Sequence, residues 1–203
     1  MARFSSAAGR VSLTLGTVLA VIGQAHAGAL QDYVLEAFAA EERETHKRTE
    51  FSFRRGDKQT AYSIKRVLPD RLHMLVRSES GEQEVFIIGN LMFSMTDGTW
   101  QVGPAPSRPG SLQSVVDFLD KRLECLAEGA PMVQEGVEYR SFRATLNWRS
   151  GAGRNVGSID LTIDTRTKLP RTVTFRGDCS GVPCAFEQVF FYDAAIRVEP
   201  PIL

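Results

Sequence analysis

The stretch from Lys47 to Val102 restricts this chain more than any other. Phe51 and Phe53 alternate with Ser52 and Arg54, and Arg55-Gly56-Asp57-Lys58 then supplies a turn. A second run carries Tyr62, Ile64 and Val67-Leu68 and breaks at Pro69-Asp70. Leu72, Met74 and Val76 alternate with Arg71, His73 and Arg77. Three turn signals, Ser80-Gly81-Glu82, Gly89-Asn90 and Asp97-Gly98, punctuate the rest of the stretch. They separate Val85-Phe86-Ile87-Ile88 from Leu91-Met92-Phe93-Ser94-Met95 and from Trp100. Period-two alternation marks strands with one buried face, and Asn, Asp and Gly pairs mark hairpins. The stretch predicts at least five sequential strands with no helix between them, and their apolar face needs a cover.

Two helices are predicted to supply it. Leu30, Tyr33, Val34, Ala37, Phe38 and Glu41 recur at three-four spacing, which predicts a helix from Ala29 to about Glu44. Gly103 to Gly110 holds three prolines and breaks regular structure. Ser111 then suits a helix N-cap, and Leu112, Val115, Val116, Leu119, Leu123 and Leu126 fall on one face of a predicted helix from Ser111 to Glu128. Strand patterns resume. Phe142, Ala144, Leu146 and Trp148 alternate with polar residues, as do Ile159, Leu161 and Ile163; further strands come at Val173-Phe175, Phe186 to Tyr192 and Ile196-Arg197-Val198. A meander this long cannot stay flat, because neighbouring strands twist relative to one another. The expected fold is α+β: a highly curved antiparallel sheet, an incomplete β-barrel, with helices covering its concave face. The helix at 111–128, set between two halves of the sheet, is the expected lid.

The N-terminus is expected to lie outside this fold. Arg3 and Arg10 precede an apolar run from Val11 to Ile22, and Ala25-His26-Ala27 comes next. That order matches a secretory signal peptide cleaved after Ala27, leaving one domain over residues 28–203. The apolar run is shorter than the roughly 20 residues that span a bilayer. The expected location is the periplasm, as a monomer. Basic and acidic side chains number 24 each, which gives no argument for nucleic acid as a partner. Export permits a disulfide among Cys125, Cys179 and Cys184. Three pairings remain open, with Cys179–Cys184 the candidate because Ser180-Gly181-Val182-Pro183 reads as a loop between them. The cysteines form no metal-binding spacing, and His46 and His73 sit among Lys and Arg, so neither metal nor cofactor is expected.

No nucleophile motif, metalloprotease helix or phosphate loop is present. Asp160 and Asp164 share a strand face, the usual place of solvated acids. No catalytic residues are assigned, and a binding function is expected instead. What remains is bulky, soft apolar surface. It fills a core, or part of it lines a ligand cavity; Met suits an adaptable pocket. The candidate cavity residues are Phe51, Phe53, Tyr62, Leu72, Met74, Val76, Phe86, Ile88, Leu112, Val116, Leu119, Phe142 and Trp148.

Three stretches resemble the LolA-like superfamily of periplasmic lipoprotein carriers and their relatives. The first runs from Lys65 to Trp100 and contains Leu68-Pro69-Asp70-Arg71-Leu72, Ile88-Gly89-Asn90-Leu91 and Asp97-Gly98-Thr99-Trp100. The second is Ile159 to Asp164 with Lys168-Leu169-Pro170, and the third runs from Phe191-Tyr192-Asp193 to Val198-Glu199-Pro200. The resemblance implies an incomplete barrel plugged by helices. It also implies a lipid or acyl-chain ligand, the chains of a lipoprotein being one source, with a lipoprotein or an envelope membrane protein as macromolecular partner. A similar half-barrel occurs in periplasmic regulators of envelope-stress sigma factors, which supplies the alternative: a protein-interaction module with no lipid cargo.

Overall fold

The computed structural model describes residues 12–105, 115–150 and 153–201, with side chains from Gly28 onward. Helix α1 (Ser12–Arg43) leads into six sequential strands. These are β1 (His46–Arg55), β2 (Lys58–Val67), β3 (Arg71–Ser78), β4 (Gly81–Ile88), β5 (Leu91–Thr96) and β6 (Thr99–Pro104). A short helix α2 (Val115–Asp120) precedes β7 (Leu123–Glu128), β8 (Met132–Gln134), β9 (Val137–Ser150), β10 (Gly153–Asp164), β11 (Pro170–Cys179) and β12 (Pro183–Tyr192). All twelve strands join one antiparallel sheet in the order β6-β5-β4-β3-β2-β1-β12-β11-β10-β9-β7, with β8 pairing the start of β9. The first and last strands, β1 and β12, pair with each other in the middle. The sheet is therefore open, with β6 and β7 at its far edges. The long meander and the open sheet agree with the sequence reading.

Three predicted elements differ. The first helix starts at Ser12, not Ala29, and passes through Ala27 without a break. Leu30, Val34, Ala37 and Phe38 of α1 are buried in the core. Of the predicted helix at 111–128, Val115–Asp120 is helical and Leu123–Glu128 is a strand; residues 111–114, Leu112 among them, lie outside the described residues. The three-four spacing of Leu119, Leu123 and Leu126 fits a helix, but β9 presents a row of backbone groups that only a strand can pair. Leu123 reaches the core opposite Leu146. Cys125, at φ 53°, sits in the bulge between Glu124 and Ala127. Finally, Ile196-Arg197-Val198 forms no strand. A turn closed by Asp193 ends β12, since the Asp193 Oδ1 accepts the Ala195 N–H at 2.7 Å. Val198 is buried, and its carbonyl accepts a hydrogen bond from Arg71 Nη1 at 3.0 Å.

The core is concentrated on one half of the sheet. Phe142 and Leu146 from β9, Ile159, Leu161 and Ile163 from β10, and Val173 and Phe175 from β11 pack under α1. Tyr33 meets Phe142 and Phe38 meets Phe190, at ring-centroid distances of 5.7 and 6.4 Å. At the end of α1, Glu41 forms a buried ion pair with Lys47 at the start of β1. Burial lowers the Lys47 pKa more than the Glu41 carboxylate raises it. Arg66 Nη2 donates to the carbonyls of Glu41, Glu42 and Glu44, satisfying helix-end acceptors that have no partner within the helix.

Across the same face runs a row of rings: Phe118 on Trp148, Trp148 on Phe175, Phe175 on Phe186, Phe186 on Phe51 and Phe51 on Tyr62. Centroid separations are 5.3–5.9 Å, inside the range where offset and edge contacts are favourable. The row depends on Gly157 and Gly177, which face each other across β10 and β11. A Cβ on Gly157 would lie 2.7 Å from Phe175 Cζ and closer still to the Arg176 carbonyl; one on Gly177 would meet Phe175 at 2.8 Å. The Cys179–Cys184 disulfide closes the β11–β12 hairpin, as the loop between these residues suggested. The neighbouring hairpin ties in through Gly56 N–H to Pro183 O at 2.9 Å and Arg55 Nη2 to Cys179 O at 3.2 Å.

Both the close glycine pair and the buried ion pair should be visible in stability measurements. Gly157→Ala and Gly177→Ala each meet backbone that cannot yield, so each should cost at least about 2 kcal/mol in urea unfolding. Lys47→Met leaves the Glu41 carboxylate buried and unpaired, and should cost about 3–5 kcal/mol. The double variant Lys47→Met/Glu41→Leu should be about as stable as the parent by the same measurement. Equal destabilisation of the single and double variants would mean that packing, not charge pairing, sets the cost.

Candidate functional site

The inner face of the sheet, the one that meets α1, is traced by cross-strand register. Phe53 stands opposite Phe186, Phe51 opposite Tyr62, Tyr62 opposite Val76, Ile64 opposite Met74 and Arg66 opposite Leu72. Directly opposed residues share a face. Phe51, Phe53, Tyr62, Leu72, Met74 and Val76 therefore stand on the same face as Phe142 and Trp148. Eight of the thirteen candidates are brought together by the sheet itself. Val116 and Leu119 join them from α2, where Leu119 is buried and Val116 packs against the core. The small helix is anchored to α1, with Gln31 Nε2 donating to Asp120 Oδ1 at 3.2 Å and the Val115 N–H to Glu42 Oε1 at 3.1 Å. It covers the Trp148 end of the face and is no independent lid.

Phe86 and Ile88 are a correction. Phe86 is opposite His73, and Ile88 is opposite Arg71, so both project from the outer face. The Phe86 ring stacks on His73 at 4.2 Å, and His73 Nε2 lies 2.8 Å from Glu84 Oε1. Their neighbours Val85 and Ile87 point inward, opposite Met74 and Leu72, and Met92 stands next in the row, opposite Ile87. Val85-Phe86-Ile87-Ile88 has no polar alternation, so periodicity could not choose the face. The two-residue connection between Ser78 and Gly81, which are paired, fixes it. That shift by one residue is the signal that would have found Val85, Ile87 and Met92.

Burial divides the inner face in two. On β9 to β11, Phe142, Leu146, Ile159, Leu161, Ile163 and Phe175 are each at most 2% exposed. On β2 to β5, Tyr62, Ile64, Leu72, Met74, Val76, Val85, Ile87 and Met92 are all only half-buried. The second wing is apolar, broad and continuous with the ring row through Phe51 and Tyr62. Such a surface solvates an apolar ligand and offers it no chemistry.

Other groups have structural partners. Asp160 accepts from Arg143 Nε at 2.6 Å, and the Asp164 carboxylate caps the turn N–H groups of Arg166 and Thr167. Burial raises the Tyr192 pKa, and its hydroxyl donates to Pro170 O at 2.8 Å. Among the described residues no three His, Cys, Asp or Glu side chains cluster as metal ligands would. A groove of about 520 Å³ opens on the outer face, between Ala127 and Met132 on one side and Ser141, Arg143, Asp160 and Thr162 on the other. No described helix is long and apolar enough to cross a membrane.

No family model and no curated protein matches the sequence. Solved structures do. The Mycobacterium tuberculosis lipoprotein LppX superposes with a TM-score of 0.59 at 11% identity, over 85% of this chain and 99% of its own. LprF from Mycobacterium bovis gives 0.58 at 10%, over 86% and 97%. A LolA superfamily protein from Nitrosomonas europaea matches more loosely, at 0.30 and 10% identity over 85% and 94%. The likeness to LppX and LprF spans both of those chains almost end to end, and at this identity it speaks of fold alone. The chain thus shares the fold of LppX and LprF, here an open antiparallel sheet with helices on its inner face.

Proposed function

We propose that this chain is an exported carrier of a hydrophobic ligand, a lipid or acyl chains such as those of a lipoprotein, held on the inner face of β1 to β5. The observation that carries this reading is the division of one apolar face into a sealed wing and an open one. A fold that needed the face only for its own core would seal both. Each methylene laid against the open wing contributes about 0.8 kcal/mol. Phe51, Phe53, Tyr62, Leu72, Met74 and Val76 form the wall, with Ile64, Val85, Ile87 and Met92 extending it. Trp148, Phe142, Val116 and Leu119 belong to the sealed side and hold its position.

Export rests on the order of charged, apolar and small residues before Ala27. Leu30, Val34, Ala37 and Phe38, which pack in the core, belong to the mature chain that this cleavage leaves. The ligand exchanges without chemistry at a site of this composition, and the protein acts as a monomer in the periplasm.

Native mass spectrometry of gently purified protein should show co-purified lipid, and a fluorescent fatty acid should bind the delipidated chain. Leu72→Asp/Met74→Asp places two charges on the open wing and should weaken that uptake at least tenfold, while the circular-dichroism melt stays within a few degrees of the parent, since neither site is in the sealed core. No lipid and no uptake, together with a stoichiometric protein partner drawn from envelope extract, would replace the carrier by the interaction module of the envelope-stress type.

A further inference from the structure

Strands β4 and β5 carry apolar residues on both faces, and β6 carries them on its outer face. Inward stand Val85, Ile87 and Met92. On the outer face of β5 and β6, Leu91 is 43% exposed, Met95 37% and Val102 48%. Register places them around Phe93, which is itself buried: Val102 is opposite Phe93, Trp100 is opposite Met95, and Leu91 is opposite Ile88. A two-sided apolar sheet ending in an open edge strand is unusual in water, where antiparallel sheets keep one face polar.

The patch has a cationic border. One cross-strand row on the outer face reads Val102, Phe93, Phe86, His73, Lys65, Arg48, passing from apolar to basic as it moves inward from the edge. Arg48 lies over the Phe191 ring at 4.2 Å, and Arg171 lies over the same ring at 4.8 Å. Glu84 is taken up by His73, and Glu50 lies 3.4 Å from Arg48 Nε. Lys65 has no ion-pair partner among the described residues.

We infer that the outer face of β4 to β6 is a docking surface for an anionic lipid bilayer. Leu91, Met95 and Val102 enter the boundary of the acyl region, and Lys65 with Arg48 and Arg171 meets headgroup phosphates. A protein partner would satisfy the apolar patch as well. The graded passage from apolar side chains to cations favours the bilayer, which presents hydrocarbon and phosphate in that order. Docking through the outer face is independent of whether the inner face carries a ligand.

Flotation with vesicles tests it, using the purified chain and its variants in one N-terminal form. Phosphatidylcholine mixed with phosphatidylglycerol is compared with phosphatidylcholine alone. The parent should float with the anionic vesicles, more weakly in high salt, and hardly at all with the neutral ones. Leu91→Ser/Val102→Ser should lose most of this binding, and Lys65→Gln should weaken it about fivefold. Uptake of the fluorescent fatty acid should stay unchanged in both variants, which separates docking from carriage. Flotation that is absent, or equal in parent and variants, overturns the proposal. So does light scattering that shows a dimer in the parent and a monomer in Leu91→Ser/Val102→Ser, because the patch would then be covered by a second copy.

Discussion

The reach of one helix decides the architecture. From Gly28 to Arg43, α1 is about 24 Å long, which spans about five strands at roughly 4.8 Å apiece. Its contacts match that span. Tyr33 rests on Phe142 of β9, Phe38 on Phe190 of β12, Glu41 on Lys47 of β1, and the last turn meets Arg66 of β2. Beyond β2 nothing of α1 remains. The sheet continues for four more strands, β3 to β6, whose inner side chains stay half-buried. The sealed wing lies under α1, and the open wing lies beyond the end of α1.

Under the helix the packing is dense because two glycines make room for it. Gly157 and Gly177 remove the Cβ atoms on which the Phe175 ring would collide. Phe175, fully buried, then links Trp148 on one side to Phe186 on the other. The row passes on through Phe51 to Tyr62, so it begins in the sealed wing and ends in the open one. A ligand on the open wing would touch rings whose far end is fixed in the core. That gives the site a rigid floor at its inner border and a softer rim of Met74 and Met92 further out.

Much of this was legible in the sequence, and the rest was hidden for physical reasons. Strands with strict alternation, such as Leu72-Met74-Val76 and Phe142-Ala144-Leu146, declare both their structure and their inner face. Val85 to Ile88 declares a strand but not its orientation, because an unbroken apolar run carries no period-two signal. The face comes from hairpin register, which is set by the turn. The segment 123–128 misleads because helical spacing is a local property, whereas its strand pairing is tertiary. Leu123 and Leu126 satisfy a helix as well as a strand, and the open edge of β9 decides between them. The pairing of β1 with β12 leaves no mark at all, since strands far apart in the chain carry no local sign of meeting.

Why the cover stops where it does is a matter of topology. Helix α1 runs directly into β1, with only two residues between Arg43 and His46. Because β1 lies in the middle of the sheet, beside β12, the helix must end over the middle. Its last carbonyls turn to Arg66 and its Glu41 to Lys47, so the end is held on both neighbouring strands, β1 and β2. Lengthening the helix would carry its start further over β9 and β7 and could not bring it over β3. Only a segment that enters from the other side could do so. An apolar wing left open by α1 is therefore built into the order of the strands and does not depend on which side chains occupy it. Side-chain choice then sets the character of that wing, which Tyr62, Ile64, Leu72, Met74, Ile87 and Met92 make largely apolar.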